Sequence, residues 1–413
     1  MHTIRDMAIQ WNELYSDMAR ELKPSSTREL YKLVLSGTVI SLAGGLPSPE
    51  CFPVKELEAA SARVLQKYAN QALQYANTQG EAIFLDFLAE HMKRIGAPVP
   101  ASQLHVVSGS EQGLDAIARM FVDPGSAIAV EDPTYSGALM AFRPYRPRFV
   151  TIPTDESGLI VEALEDKLKA GEQIRFLYMM SCFQNPMGTT LIPERRKRLL
   201  EVAAKYNLVI VEDDPYGELY YEGSRPEPLA KLDIEMHGEL THVIYVNTFS
   251  KTIAPGLRIG WIAAPKDLIG KVVLTKQAMD LHTSPFNQYL IYEVCQGDFW
   301  ERQMAHIRQV NRVRRDAMLD ALAEFMPDYT HWTKPTGGMF VWVTLPETMD
   351  DMSLLKSAID QKMIFVPGSS YYANGDVHNA IRLSFTQPTP DDIVEALRRM
   401  SNVIKTAGSS NGT

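Results

Sequence analysis

The chain has 413 residues, of which 45% are apolar, and a formal net charge of −9 at pH 7. This length exceeds what one hydrophobic core usually covers, so it predicts two domains or one elaborated α/β domain. The acidic balance argues against a protein that binds nucleic acid through its backbone phosphates. The three cysteines match no zinc or disulfide pattern, which favours a reduced, cytoplasmic compartment.

The N-terminal segment mixes charged residues into every turn, which is not typical of a signal peptide. Residues 6–35 have an amphipathic helical pattern that breaks near Lys23 and Pro24. Residues 41–53 are rich in Gly and Pro, which predicts a loop. No apolar run reaches the roughly 20 residues that a membrane-spanning helix needs.

From about residue 100 onwards, short apolar runs alternate with helical patterns. Most runs are continuous, as expected of strands buried on both faces, so the alternation predicts a mostly parallel sheet. The predicted strands are residues 104–107, 127–130, 149–152, 175–180, 208–211 and 242–246. The predicted helices between them are residues 111–121, 136–142, 160–170 and 192–206.

The pattern changes after about residue 300. A long helical stretch at 299–325 precedes three antiparallel-looking strands and a final helix, which predicts a smaller α+β domain. The strands are predicted at 338–346, 363–367 and 380–385, and the helix at 391–405. We expect residues 59–298 to form a large domain, residues 299–413 the C-terminal part of the small domain, and residues 1–58 an N-terminal segment that joins the small domain.

Polar side chains directly follow five of the predicted strands. Ligands of open α/β sheets bind outside the carboxyl ends of the strands, so five converging loops predict a binding site at that edge. The loops are SGSE after residue 107, EDPTY after residue 130, SCFQNP after residue 180, EDDPY after residue 211, and NTFSK after residue 246.

These loops carry complementary chemistry. Gly109 and Ser110 stand at the predicted start of a helix, which suits a phosphate, and Arg258 offers a planar fork of donors for the same anion. Asp213 offers a carboxylate, and Lys251 offers an amine that forms an imine when its neighbours lower its pKa. A phosphate, a basic ring nitrogen and an aldehyde on one small molecule would use all of these groups, as in pyridoxal 5′-phosphate.

The sequence resembles the fold-type I aminotransferases of class I/II, which use pyridoxal phosphate, and most of all the α-aminoadipate/kynurenine branch. The resemblance spans residues 25–407 and implies an α/β fold, with a large domain built on a mostly parallel seven-stranded sheet between helices and a smaller α+β domain. It rests on the motifs ISLAGGLPSPECFP, ALQYANTQG, VVSGSEQGL, EDPTYSG, FQNPMG, VEDDPYGELY, TFSKTIAPGLRIGW, KPTGGMFVW and IRLSF.

The resemblance implies roles around the cofactor. Lys251 would form the Schiff base and move the substrate proton, and Asp213 would hold the pyridine nitrogen. Tyr216 and Asn185 would bond the 3-oxygen, and Tyr135 would stack on the ring. The residues implied near the phosphate are Gly109, Ser110, Glu111, Thr248, Ser250 and Arg258, with Tyr75 reaching in from the neighbouring subunit of a homodimer.

The resemblance also implies a substrate site. Arg382 would grip the α-carboxylate, beside Asn185, and Gly45, Leu46 and Arg28 would belong to a mobile N-terminal part that closes on the substrate. Alternatives remain for two of these residues, since Arg382 would also suit a structural ion pair and Arg28 a solvated helix face.

Three further positions are open from the residues alone. Glu212 and Asp214 flank Asp213, and only the spacing to Tyr216 favours the middle acid. Glu111 stands where relatives often carry glutamine, and a carboxylate beside a phosphate is unfavourable unless its side chain turns away. Thr248 stands where relatives usually carry serine and keeps the hydroxyl.

We therefore expect a cytoplasmic, homodimeric aminotransferase without a metal. It would move the amino group of an L-amino acid, of the 2-aminoadipate/glutamate or the aromatic type, to a 2-oxo acid such as 2-oxoglutarate. A pyridoxal-phosphate-dependent lyase or decarboxylase would share the same site residues. An effector domain of a transcription regulator is disfavoured by the acidic charge and by the short stretch ahead of SLAGGLP.

Overall fold

The computed structural model describes residues 9–21, 39–375 and 377–410. Its helices within these ranges are α1 (Trp11–Leu14), α2 (Asp17–Glu21), α3 (Val54–Lys67), α4 (Ala69–Ala72), α5 (Ala82–Arg94), α6 (Ser110–Phe121), α7 (Ser136–Phe142), α8 (Val161–Lys169), α9 (Pro193–Tyr206), α10 (Leu229–His237), α11 (Lys266–Asp280), α12 (Pro285–Val294), α13 (Phe299–Phe325), α14 (Asp351–Asp360) and α15 (Pro390–Ser410).

The strands are β1 (Ile40–Ser41), β2 (Leu104–Val107), β3 (Ala127–Asp132), β4 (Arg148–Asp155), β5 (Gly158–Leu159), β6 (Ile174–Met179), β7 (Ile210–Asp213), β8 (Val243–Thr248), β9 (Gly260–Ala263), β10 (His331–Trp332), β11 (Phe340–Thr344), β12 (Met363–Ile364), β13 (Val366–Pro367) and β14 (Ala380–Ser384). The apolar runs predicted as strands all contain strands. The run at 363–367 is divided into β12 and β13, and much of the amphipathic stretch at 6–35 lies outside the described residues.

The large sheet has the order β2-β9-β8-β7-β6-β3-β4-β5. Strands β4, β3, β6, β7 and β8 pair in parallel, whereas β9 is antiparallel to both β2 and β8. The predicted sheet of seven strands thus gains an eighth, because the two-residue β5 folds back on β4. The loops that follow β2, β3, β6, β7 and β8 therefore reach the same edge of the sheet.

A second sheet has the antiparallel order β10-β11-β14-β13. Beside it, β1 pairs in parallel with β12, so residues 40–41 of the N-terminal segment contact the C-terminal third of the chain. None of the helices in the described residues is long and apolar enough to cross a membrane.

Buried apolar side chains form two clusters. One surrounds the large sheet, and the other packs β11, β13 and β14 against α13, α14 and α15. Helix α13 contributes Trp300 and Met304 to the first cluster and Met318 and Leu322 to the second. Because α13 has buried side chains in both clusters, it connects them. Burial of each such side chain stabilises the fold by about 1.5–3 kcal/mol.

Candidate active site

A cavity of about 660 Å³ is lined by residues at or after the carboxyl ends of large-sheet strands, together with residues 43–46, Phe340 and Arg382. The predicted site residues in its wall are Gly45, Leu46, Ser110, Glu111, Tyr135, Asn185, Asp213, Tyr216, Thr248, Ser250, Lys251, Arg258 and Arg382. Of the other three, Gly109 adjoins the wall, and Tyr75 is 79% exposed with its ring edge-on to His282. Arg28 lies outside the described residues.

The three consecutive acids at the end of β7 have different surroundings. The Glu212 carboxylate accepts hydrogen bonds from the backbone N–H groups of Leu229 (2.7 Å) and Ala230 (2.9 Å), at the start of α10. The Asp214 carboxylate accepts from Arg225 Nη2 at 2.5 Å and from the hydroxyl of Tyr245 at 2.9 Å. Both acids therefore hold the fold together and lie outside the cavity wall.

Asp213, between them, lines the cavity. Its Oδ2 accepts a hydrogen bond from the hydroxyl of Tyr178 at 3.0 Å, while its buried Oδ1 has no partner among the described residues. Burial raises the pKa of Asp213 to about 7, against the donation from Tyr178, which lowers it. A buried acceptor without a donor is costly, so this oxygen suits a ligand N–H, such as a protonated ring nitrogen.

Lys251 follows β8 and lies in the same cavity, where its Nζ donates to the carbonyl oxygen of Gly45 at 2.9 Å. Burial lowers the pKa of Lys251 to about 8, the cations of Arg382 and Arg258 lower it further, and Asp213 opposes them. An appreciable fraction of the side chain is then the neutral amine near neutral pH, which is the form that attacks a carbonyl carbon.

Arg382, on β14, is only 3% exposed. Its Nη1 donates to Asn185 Oδ1 at 3.1 Å and its Nη2 to the carbonyl of Ala43 at 2.6 Å, and its guanidinium lies 4.1 Å from the ring centroid of Phe340. No carboxylate in the described part of the chain lies within ion-pair distance of it, so the alternative of a structural ion pair is not seen there. A buried guanidinium that lines a cavity without an anion suits a substrate carboxylate.

The other end of the cavity is built from a helix start, hydroxyl groups and Arg258. Gly109 has φ +90°, and a Cβ added there would overlap the guanidinium of Arg258, so the turn ahead of α6 requires glycine. Thr248 Oγ1 donates to the carbonyl of Ile259 at 2.9 Å and lies 2.8 Å from Ser250 Oγ. Thr248 thus orients Ser250. The first N–H groups of a helix lack the acceptor of a preceding turn, so those at the start of α6 suit an anion.

Two tyrosines line the space between these ends. Tyr135 precedes α7, and a Cβ on Gly137 would overlap its ring, so that glycine makes room for the phenol. Tyr216 packs edge-on against Phe340 with ring centroids 5.9 Å apart. Burial raises the pKa of both phenols above the usual value, so both stay neutral hydrogen-bond donors.

The structure adds residues that the sequence reasoning had not assigned. Met140 and Met180 line the cavity, and Tyr178 holds Asp213 from behind. Tyr178 lies inside the apolar run of β6, where no sequence pattern distinguishes it from its neighbours. The two methionines follow no motif, so only the cavity identifies them.

The aminotransferase class I and II family matches residues 39–400. The chain belongs to this family. It is 45% identical over 402 residues to aromatic-amino-acid aminotransferase 1 of Thermococcus litoralis, covering 96% of this chain and 95% of that one. It is also 40% identical over 397 residues to 2-aminoadipate transaminase of Thermus thermophilus, covering 96% and 98%.

A solved structure of LysN, the α-aminoadipate aminotransferase of Thermus thermophilus, complexed with N-(5′-phosphopyridoxyl)-L-leucine, superimposes with a TM-score of 0.91. Its sequence is 38% identical, and the match covers 97% of this chain and all of that one. The protein is thus a fold-type I aminotransferase that depends on pyridoxal phosphate. The Asp213 oxygen that has no partner in the described ranges, the depressed pKa of Lys251 and the glycine turn beside Arg258 fit this cofactor.

Proposed function

We propose that this aminotransferase moves the amino group of an L-amino acid with an aromatic or a glutamate/2-aminoadipate-type side chain to a 2-oxo acid, with 2-oxoglutarate as acceptor. One observation carries the proposal: Lys251, Asp213 and Arg382 line the same cavity, and among the described residues the Asp213 Oδ1 has no donor and the Arg382 guanidinium has no carboxylate partner. Transamination of an amino acid needs each of these groups.

The cofactor would be held along the length of the cavity. Asp213 would take the ring nitrogen, Asn185 and Tyr216 the 3-oxygen, and Tyr135 the ring face. Ser110, Ser250, Arg258 and the N–H groups that follow Gly109 would take the phosphate, with Thr248 orienting Ser250 and Glu111 nearby. When bound, pyridoxal phosphate supplies a sink for the electron pair that remains when the Cα proton leaves.

The chain's own groups would then act in a fixed geometry. Arg382 would bind the substrate α-carboxylate through its paired N–H groups, which orients the Cα–H bond. The free amine of Lys251 would take the proton from the substrate Cα and pass it to the cofactor. Its pKa of about 8 suits this task, because a proton carrier works best when its pKa is close to the working pH. Asp213, ionised, would keep the ring nitrogen protonated throughout.

The cavity wall supports the choice of substrate class. Leu46, Met140, Met180 and Phe340 give it an apolar side, which suits an aromatic side chain. The cations of the described wall are Lys251, Arg258 and Arg382, and each has a role above. The second carboxylate of glutamate or 2-aminoadipate would therefore need another cation, for which we keep the predicted Arg28.

We further propose a cytoplasmic homodimer with the domain division at residues 58 and 298. Tyr75 supports the dimer, because a tyrosine that is 79% exposed on its own chain is accessible to a neighbouring subunit. Cys51, Cys182 and Cys295 are free thiols, as expected in a reducing compartment. Light scattering of the purified protein at several concentrations would test the dimer.

The visible absorption spectrum tests the proposal. The wild-type protein should show the band of lysine-bound cofactor and lose it when L-glutamate, L-2-aminoadipate or an aromatic amino acid is added, with formation of pyridoxamine phosphate. Lys251→Ala should lack that band, whereas Lys271→Ala, an exposed lysine on α11, should keep it. Release of pyruvate or carbon dioxide without pyridoxamine phosphate would instead establish the lyase or decarboxylase alternative.

A further inference from the structure

A partly buried ion pair lies beside the turn that starts α6, outside the cavity wall. Lys276 and Asp280 are one turn apart on α11 and form an ion pair, with the lysine side chain 1% exposed and the aspartate 36%. Neither residue lines the cavity, and neither belongs to a motif that carries the family resemblance. Burying an ammonium group costs free energy unless the charge is paired and hydrogen-bonded, so the contacts of Lys276 and its partner indicate what the pair does.

The pair is bonded to the turn that starts α6. Asp280 Oδ2 accepts a hydrogen bond from Ser108 Oγ at 3.2 Å and from Gln112 Nε2 at 2.8 Å. Gln112 Oε1 in turn accepts from the backbone N–H of Ser108 at 2.7 Å, which closes a ring of hydrogen bonds. Lys276 Nζ lies 3.5 Å from Ser108 Oγ.

Ser108 is thereby held at every polar atom. Its carbonyl oxygen accepts from Arg258 Nη2 at 3.1 Å, and its N–H donates to Gln112 Oε1. Its hydroxyl lies 3.2 Å from Asp280 Oδ2 and 3.1 Å from Thr283 Oγ1. The next two residues are Gly109 and Ser110, whose N–H and hydroxyl groups belong to the proposed phosphate site. The position of those donors depends on the position of Ser108, because one glycine with φ +90° separates Ser108 from Ser110.

We propose that Lys276 and Asp280 are positioning residues for the phosphate of the cofactor: they hold the Ser108–Ser110 turn and the Arg258 guanidinium in the geometry that binds the anion. The inference rests on the proposed assignment of the phosphate end. The two charges of the pair are opposite and adjacent, so their combined field at the phosphate is small, and the pair acts through the hydrogen bonds of Asp280.

The direction in which two single substitutions change the affinity for phosphate distinguishes a positioning role from an electrostatic one. If the pair positions the turn, Lys276→Met and Asp280→Asn both weaken phosphate binding. Asp280→Asn removes the charge that accepts the hydrogen bonds of Ser108 and Gln112, and Lys276→Met removes the ammonium that holds this carboxylate in place. If the pair acted by its field, removal of the cation would weaken anion binding and removal of the anion would strengthen it. If the pair only stabilised the fold, both variants would melt earlier with unchanged cofactor affinity.

The experiment removes the cofactor from the full-length protein and titrates each variant with pyridoxal phosphate and with pyridoxal, which lacks the phosphate. We expect both variants to raise the dissociation constant for pyridoxal phosphate about tenfold, which corresponds to the loss of one hydrogen bond to a charged group. The dissociation constant for pyridoxal should stay unchanged. Inorganic phosphate should also compete less well with pyridoxal phosphate in both. Asp155→Asn, which removes the ion-pair partner of Arg195 on α9, is the matched control with wild-type constants.

Opposite shifts in the two variants, or equal losses for pyridoxal and pyridoxal phosphate, would overturn the inference. So would unchanged affinity with a lowered melting temperature. If Asp280→Asn does not fold, the double variant Lys276→Met/Asp280→Leu removes both charges, and the ratio of the two affinities is measured there. A wild-type protein that bound neither compound would refute the proposed site itself, which distinguishes the two failures.

Discussion

The two ends of the cavity are built on different physical principles. At the ring end, Asp213 and Lys251 are ionisable groups whose burial moves the pKa of the acid up to about 7 and that of the amine down to about 8. At the end that we propose for the phosphate, the groups are hydroxyls, backbone N–H groups and the exposed guanidinium of Arg258. The first arrangement suits proton transfer at Lys251 beside a carboxylate at Asp213, and the second suits a bound anion.

This difference predicts which quantity a substitution at each end of the cavity should change. Groups with displaced pKa values close to neutrality exchange protons at little cost, so changes at the ring end should alter the rate. Permanently charged or neutral donors stabilise bound and reacting states alike, so changes at the phosphate end should alter affinity for the cofactor. The predictions below test that division.

The largest effect is expected from Asp213→Asn at the ring end. An amide cannot keep the ring nitrogen protonated, so kcat should fall about 10²–10³-fold, as when an electrostatic partner of the transition state is removed. Steady-state kinetics at saturating cofactor measure it. Asp214→Asn is the control, because it breaks the buried pair with Arg225 and should lower the unfolding free energy by about 3–5 kcal/mol instead. A wild-type kcat in Asp213→Asn would remove this acid from the proposed chemistry.

Arg258→Gln, at the proposed phosphate end, should weaken cofactor binding and leave kcat unchanged. Loss of the guanidinium removes charged hydrogen bonds to the phosphate and should raise the cofactor dissociation constant about 10–100-fold. At saturating pyridoxal phosphate, kcat should stay near the wild-type value. Equilibrium titration and saturating kinetics on the same preparation measure both quantities. The division between the two ends would break down if kcat fell as far as in Asp213→Asn.

Tyr178→Phe should have a smaller effect with a characteristic pH dependence. The phenol donates to Asp213 and lowers its pKa, so the variant should raise that pKa and leave less of the ionised acid at a given pH. The acidic limb of the kcat profile should move to higher pH, with a loss of activity at neutral pH that is recovered as pH rises. Tyr245→Phe, which removes the matching hydroxyl from Asp214, should leave the limb in place.

The smallest effect concerns the stability of the cofactor-free protein. The pKa of Lys251 is about 8 in the folded state and 10.5 as its ordinary value, so the unfolded state binds more protons between these two pH values. Stability therefore gains a contribution as pH rises from about 8 to 10.5, and this gain should be absent in Lys251→Met. Urea unfolding of both proteins at several pH values across that window measures it. Parallel pH curves for the two proteins would contradict the depressed pKa.

Much of the site could be predicted because it is local in sequence. The groups SGSE, EDPTY and NTFSK each directly follow an apolar run, and a buried run that pairs in parallel ends at the same edge as its neighbours. Thirteen of the predicted site residues accordingly line one cavity, named above. The strands β1, β5 and β10 were not predicted, since two residues give no usable period, and the four-residue β9 was not predicted either.

The sequence by itself thus determined the family, the cofactor and which loops meet, because the order of strands and loops along the chain already encodes that edge. Only the tertiary structure decided which of the three acids at the end of β7 lines the cavity with an oxygen that has no described partner, and that Arg382 faces the cavity without a described carboxylate beside it. The reason is that hydrogen-bond partners are distant in sequence: Tyr178 meets Asp213 across 35 positions, and Asp280 meets Ser108 across 172. No local sequence pattern indicates contacts over such separations. The sequence therefore does not distinguish a carboxylate that stabilises the fold from one that is available to a ligand.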